Sequence, residues 1–366
     1  DGTDVLSMQD LSAVADAQLA NKSSIETLTS AATGLSATLD DNAQAMGIAT
    51  VTLAGTAAGG VADTVTINDG VTNAVTVNVD ALDDGGAADD SNTVNAAAYT
   101  GALTIKTASA AAINGAAGNA AAGEATYTGG TGTSDQLIMH GGTFSATHLG
   151  SITAIETWTI VDDTTSSLTL ADANIADGKA LTIDGRAIIN ASNSLTVVGT
   201  SEADGALTVH GSTGGDALTG TASDLGDTLH GYAGGDTFSF AVDNLTTLDT
   251  VDGGAGSDTV TITSAGTLAD ADFTNVSNVE ALTFTAAATS ATPGAQYQES
   301  GSTTITLTTG TNSLTLGAAA ASGGGVTNDQ TVVLVGGTDT VDAALHTGSL
   351  TVSYADDDNL TAADTI

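Results

Sequence analysis

The sequence predicts an all-β chain, built as an elongated parallel β-solenoid or β-roll. Three observations lead there. Short segments alternate Thr with aliphatic residues, the period of two that marks strands. The pair Leu-Thr recurs at near-regular steps through the middle of the chain. The 366 residues are 41% hydrophobic, yet only 3% aromatic with one Pro, which suits a thin core of many short strands over a thick one.

Taken in order, weak helical character lies within residues 8–20. The segments ATVTLAG (49–55), DTVTIND (63–69), AVTVNVD (74–80) and ALTIKT (102–107) read as strands separated by polar or Gly-rich turns. The Ala-rich stretch 87–123 reads as loops and short strands. Then Leu168, Leu181, Leu195, Leu207 and Leu218 each open a Leu-Thr pair, followed by Leu229 and Phe238, at steps of 13, 14, 12, 11, 11 and 9 residues. One strand per turn, with the same residue pointing inward each time, is the expected coil.

Charge narrows the function. Against 43 acids stand only Lys22, Lys106, Lys179 and Arg186, a net charge of −39. That excludes nucleic acid and anionic membrane as partners, because phosphate contacts need Lys and Arg. The carboxylates repel one another unless cations neutralise them. No apolar run reaches the roughly 20 residues of a membrane-spanning helix. Absent cysteines fit an extracellular life without disulfides. The chain does not begin with Met and has no visible signal peptide, so a processed or longer natural chain is expected. No enzyme is expected. His140, His148, His210, His230 and His346 are scattered without an H-E-x-x-H pair, and no nucleophile elbow is present. His230 reads as a surface residue.

The glycine turns carry the candidate site. GGAGSDTVT (253–261) has relatives in GSTGGDALT (211–219), GYAGGDTFS (231–239) and the looser ASDLGDTLH (222–230). Glycines permit tight turns that bring carbonyls together, and the Asp adds a carboxylate, an all-oxygen set that suits Ca²⁺. The pattern resembles the RTX nonapeptide G-G-x-G-x-D-x-U-x, with U apolar. Gly253, Gly254, Gly256, Asp258 and Val260 match every fixed position. The copies at 211 and 231 lack the second Gly, and the copy at 222 keeps only Asp227 and Leu229. The resemblance implies calcium as cofactor, with Asp216, Asp227, Asp236 and Asp258 as ligands beside the turn residues Gly211, Gly231 and Gly253. The acidic loop 81–92 and Asp356–Asp358 read as solvated loops, with irregular calcium sites as the alternative.

A longer repeat surrounds these turns. SSIETLTS (23–30), TAIETWTI (153–160) and SNVEALTF (277–284) share a Glu, and an Asp precedes each: Asp4 before Glu26, Asp135 before Glu156, Asp258 before Glu280. Asp339 takes the Asp position of a fourth copy, and Asp135 and Asp339 join the candidate metal ligands. The expected organisation is three tandem solenoid units of about 125 residues, at 1–128, 129–252 and 253–366, the last including the start of a fourth. Leu28, Trp158 and Leu282 should all lie inside, Trp158 having carbohydrate stacking as its alternative. The larger pattern resembles RTX-type surface-layer proteins of Gram-negative bacteria. That implies type I secretion, a place on the cell surface, and calcium-dependent self-assembly into a layer or filament, with surface glycan or lipopolysaccharide as a further partner. The alternative is a calcium-stiffened adhesin or a glycan- or ice-binding module with Thr-rich strand faces such as TITLTTGT (304–311).

Overall fold

The structure is a computed structural model. It describes residues 2–8, 13–30, 35–53, 63–79, 92–110, 113, 125–308, 310–317 and 329–354. The acidic loop at 81–91 and Asp356–Asp358 lie outside the described residues. The chain divides into two compact units, Asp1–Ala187 and Ile188–Ile366. Both are parallel β-solenoids.

In the first unit one sheet is laid down in chain order by Val5–Met8, Thr27–Ser30, Thr50–Leu53, Val75–Val79, Leu103–Thr107, Gln136–Met139, Thr157–Ile160 and Ala180–Asp184. A second is laid down by Ser36–Leu39, Thr64–Ile67, Thr93–Asn95, Thr126–Thr128 and Ile152–Thr153. From Thr27–Ser30 to Thr157–Ile160 the chain alternates between them, so each of those coils contributes a strand to each sheet. The second unit repeats the plan. One sheet holds Leu195–Val198, Ala217–Thr219, Thr237–Phe240, Thr259–Ile262, Ala281–Phe284, Thr304–Leu307, Gln330–Leu334 and Leu350–Tyr354. Facing strands are Ala206–His210, Thr228–His230, Thr250–Asp252 and Val276–Ser277, then Gly266–Ala269, Thr289–Thr292, Gly310–Thr315 and Gly337–Asp342.

This corrects the expected coil. Leu218 pairs with Phe238, and Val209 with Leu229, so the Leu-Thr steps are half-turns: two strands make one coil. The register also reassigns Leu195 and Leu207. Val197, not Leu195, pairs with Leu218, and Val209, not Leu207, pairs with Leu229. Among the described residues of the predicted helical region, Asp16–Leu19 form a 3₁₀ turn.

The core is a set of inward columns. Val197, Leu218, Phe238, Val260, Leu282, Ile305 and Val332 are paired in series, and all are buried. Each stabilises by about 1.5–3 kcal/mol relative to exposure. Leu28, Trp158 and Leu282 are fully buried as expected, so Trp158 is a core residue rather than a stacking platform. On the opposite face the same strands align hydroxyls. Thr237, Thr259, Thr304 and Thr331 fall in one outward column, interrupted by Ala281, and Thr219, Ser239, Thr261, Thr283 and Thr306 in the next. Variation in loop length falls in the connections and leaves this register intact.

Candidate functional site

Strand alternation decides where the turn carboxylates go. In D-x-U the Asp lies two residues before the buried apolar residue and therefore on the same, inward side. Asp135, Asp216, Asp227, Asp236, Asp258 and Asp339 are accordingly all buried. Burial of a carboxylate is costly unless donors meet it, and here main-chain N–H groups do.

In the second unit four acids form a ladder. The Leu195 N–H donates to Asp216 Oδ1, the Asp216 N–H to Asp236 Oδ1, the Asp236 N–H to Asp258 Oδ1, and the Asp258 N–H to Glu280 Oε2, each at 2.7 Å. Every carboxylate satisfies the N–H of the matching residue one rung earlier. A separate ladder runs through Asp227, which accepts the Leu207 N–H at 2.9 Å, and Asp249, which accepts the Asp227 N–H at 2.7 Å. In the first unit Asp135 accepts from Leu103 at 2.8 Å and donates its N–H to Glu156 at 2.9 Å, while Glu26 accepts from Asp4 at 2.8 Å. Asp339 meets the N–H and side-chain amide of Asn312 at 3.2 and 2.9 Å.

The three glutamates share one role, the last carboxylate of a ladder. Two residues before each of them, Ser24, Ala154 and Asn278 have φ of 59°, 53° and 53°, a left-handed conformation uncommon outside Gly. Gly129 and Gly253 lie against this kink. A Cβ on Gly129 would stand 1.7 Å from the Ala154 carbonyl oxygen, and one on Gly253 would stand 1.9 Å from that of Asn278.

The second carboxylate oxygen separates two kinds of turn. In closed turns an N–H of the same turn covers Oδ2: Gly130 donates to Asp135 at 2.6 Å, Ser212 to Asp216 at 2.6 Å, and Thr221 to Asp227 at 2.7 Å. In the turns ending at Asp236 and Asp258, Oδ2 is buried without a hydrogen-bond partner among the described residues. These open turns differ in backbone. Their second residues, Tyr232 and Gly254, have φ of 72° and 93°. They also stack directly on one another, Ala233 pairing with Ala255 and Gly234 with Gly256. Their first glycines leave room for the carboxylate and for a carbonyl of the next rung. The point where a Cβ would stand on Gly231 is 2.1 Å from Asp236 Oδ2 and 2.7 Å from the Gly253 carbonyl oxygen. At Gly253 the corresponding neighbours are the Asn278 carbonyl oxygen and Asp258 Oδ2, the latter at 2.6 Å.

Burial raises the carboxyls of both kinds of turn. Burial, together with the charges of Asp216 and Asp258, pushes Asp236 up to about 7. Burial pushes Asp227 up to about 6, opposed by its N–H bonds from Thr221 and Leu207. It also raises Asp216 and Asp258. Oxygen donors that are buried, unpartnered and of one charge fit a hard cation such as Ca²⁺. The fit is to Asp236 and Asp258, whereas Asp135, Asp216 and Asp227 have both oxygens committed to N–H groups.

Of the residues singled out in the sequence, Asp216, Asp236 and Asp258 come together in one ladder, with Gly211, Gly231 and Gly253 beneath their carboxylates. Asp227 belongs to another ladder, and Asp135 and Asp339 to others again. Missed were Asp249 and, in the first unit, Asp63, which accepts the Leu35 N–H at 2.5 Å, and Asn92, which accepts the Asp63 N–H at 3.0 Å. Their signal is Asp-Thr-Val, Asp-Thr-Val and Asn-Thr-Val outside the Gly-x-x-x-x-Asp spacing.

Compared with known proteins, the chain matches no family model, no curated protein and no solved structure. Among the described residues no helix is long and apolar enough to cross a membrane.

Proposed function

We propose that this chain is a structural extracellular protein that calcium stiffens and draws into a cell-surface layer or filament. The observation that carries the reading is the stacked pair of open turns, with the partnerless Oδ2 atoms of Asp236 and Asp258 beside main-chain carbonyls. Calcium bound there supplies positive charge to a ladder of four stacked acids. Asp236 and Asp258 hold it through Oδ2 while their Oδ1 atoms keep the rung-to-rung bonds. The RTX and surface-layer resemblance, with type I secretion, belongs to the same proposal. A β-solenoid is typically a structural scaffold, and we assign no catalytic role.

Charge supports assembly as the consequence of binding. A net charge of −39 opposes contact between identical neighbours, and physiological salt screens it only beyond about 8 Å. Divalent cations reduce that charge and bridge carboxylates across a contact. Light scattering during calcium titration, with magnesium as control and electron microscopy of the product, tests this. Calcium-specific growth of particles that chelator reverses is expected. A chain that stays monomeric through tenfold excess calcium over protein overturns assembly.

One observation favours a second reading, an adhesive module for glycan or ice. The outward column Thr261, Thr283 and Thr306 repeats on successive rungs, about 4.8 Å apart, and the column beside it, about 6.6 Å along the strands, carries Thr259 and Thr304 with Ala281 between them. Such a lattice of hydroxyls suits a periodic or multi-hydroxyl ligand. Binding to glycan or ice by a chain that stays monomeric would select this reading.

A further inference from the structure

The second sheet of the first unit, from Ser36–Leu39 to Ile152–Thr153, carries an uninterrupted polar strip on its outer face. Ser36, Thr64, Thr93 and Thr126 pair in series as one column. Thr38, Thr66, Asn95, Thr128 and Thr153 pair in series as the next. Strand alternation sends Ala37, Val65, Val94 and Tyr127 into the core and leaves the strip outside. Every residue of the strip is exposed or half-buried. All are hydroxyls except the amide of Asn95, and none is charged, in a chain with 43 acids. Asp63, which immediately precedes Thr64, is buried and accepts the Leu35 N–H at 2.5 Å. None of the strip's hydroxyls is engaged in a hydrogen bond among the described residues. Five strands about 4.8 Å apart make the strip roughly 19 Å long, and its two columns lie about 6.6 Å apart.

We propose that this strip binds a single chain of uncharged polysaccharide, laid along the stack of rungs. Chemistry, spacing and charge select that ligand. Ser, Thr and Asn side chains both donate and accept, as sugar hydroxyls do, so either partner supplies the proton. In an extended polysaccharide each sugar residue advances about as far as one rung, so successive residues meet successive pairs of side chains. The strip has no Lys or Arg with which to recognise a carboxylate or phosphate, and a net charge of −39 repels anionic glycans besides. Width separates this ligand from ice. Asp40 and Asn68 stand two residues beyond Thr38 and Thr66, and the Asn68 amide donates to Asp40 Oδ2 at 3.1 Å. That bonded pair bounds the strip along the strands. Two columns suit one polymer chain and lack the breadth of a crystal plane. The strip belongs to the first unit, so the calcium-assembly reading and the reading of the second unit's Thr columns can each fail without it.

The test is calorimetric titration of the full chain, in calcium, with uncharged glucan and mannan oligosaccharides of increasing length. Affinity should rise with length to about five sugar residues, one for each strand of the strip, and then level off. Thr66→Val with Thr128→Val keeps side-chain shape and strand preference while removing two hydroxyls, and binding about tenfold weaker is expected. Thr261→Val with Thr283→Val, in the second unit, should leave binding unchanged. Circular dichroism checks that both variants keep their β-structure, and light scattering of the same samples reads assembly separately. The proposal is overturned if no oligosaccharide binds at millimolar concentration or if affinity ignores length. It is equally overturned if the second-unit pair weakens binding and the first-unit pair does not. Adsorption to ice that the first-unit pair removes, without oligosaccharide binding, would assign the strip to ice instead.

Discussion

The turns that end at Asp216 and Asp258 look alike in sequence and differ in what they leave undone. Both carboxylates are buried, and both give Oδ1 to the N–H of the preceding rung. At Asp216 the turn then closes on itself, with the Ser212 N–H and hydroxyl each 2.6 Å from a carboxylate oxygen. At Asp258 the turn continues through a left-handed Gly254 and pairs with the turn above, and Oδ2 meets no donor among the described residues. One Asp is a finished structural brace. The other is a brace with a spare ligand. A Gly-x-x-x-x-Asp turn is therefore no calcium site by itself, because a backbone donor can occupy the place of the ion.

The largest effect should come from breaking a closed turn. Asp216→Ala strips acceptors from the buried N–H groups of Leu195 and Ser212, at about 1–3 kcal/mol each. A loss of about 3 kcal/mol or more in denaturant unfolding is expected, equal with and without calcium. Next is Asp258→Asn. It keeps an acceptor for the Asp236 N–H but weakens the ion site, so in chelator it should cost little. At calcium a hundredfold above the dissociation constant it should forfeit about 2.7 kcal/mol of ligand stabilisation. Gly253→Ala drives a Cβ to 1.9 Å from a carbonyl oxygen, and about 1–3 kcal/mol of overpacking is expected. Gly235→Ala, whose Cβ would meet only the Ser257 carbonyl oxygen at 3.2 Å, should cost less.

The smallest effect sharpens the comparison through pH. A carboxyl raised to about 7, as at Asp236, holds a proton in the native chain that the unfolded chain has released. Its contribution is complete below about pH 4, the unfolded value, and is lost as pH rises to about 7. The calcium-free melting temperature should therefore fall across that interval. Asp236→Asn should flatten that fall, and so should saturating calcium.

Much of this was legible beforehand. Alternating Thr and Val gave strands, and recurring Leu-Thr pairs gave a solenoid. The spacing from Asp4, Asp135 and Asp258 to the following Glu is one full rung, which is why the pairs meet. Two things were not read. Steps near eleven residues suit one strand per coil as well as half a coil, and only pairing separates the two. The inward direction of the Asp follows from its place two residues before a core residue, as in Asp216 and Leu218. That parity is in the strand, and the glycine turn before it carries no sign of it. The closed or open state of a turn depends on backbone torsions at Ser212, Tyr232 and Gly254, and residue type signals these only at Gly254.

The central claim is that the open turns bind calcium and the closed turns do not. A crystal structure grown in millimolar calcium, with anomalous scattering to identify the ion, tests it most directly. The account predicts calcium at about 2.3–2.6 Å from Asp236 Oδ2 or Asp258 Oδ2. At Asp135, Asp216 and Asp227 it predicts only N–H groups. Calcium bound at the closed turns, or open turns whose Oδ2 atoms remain without an ion, would contradict it.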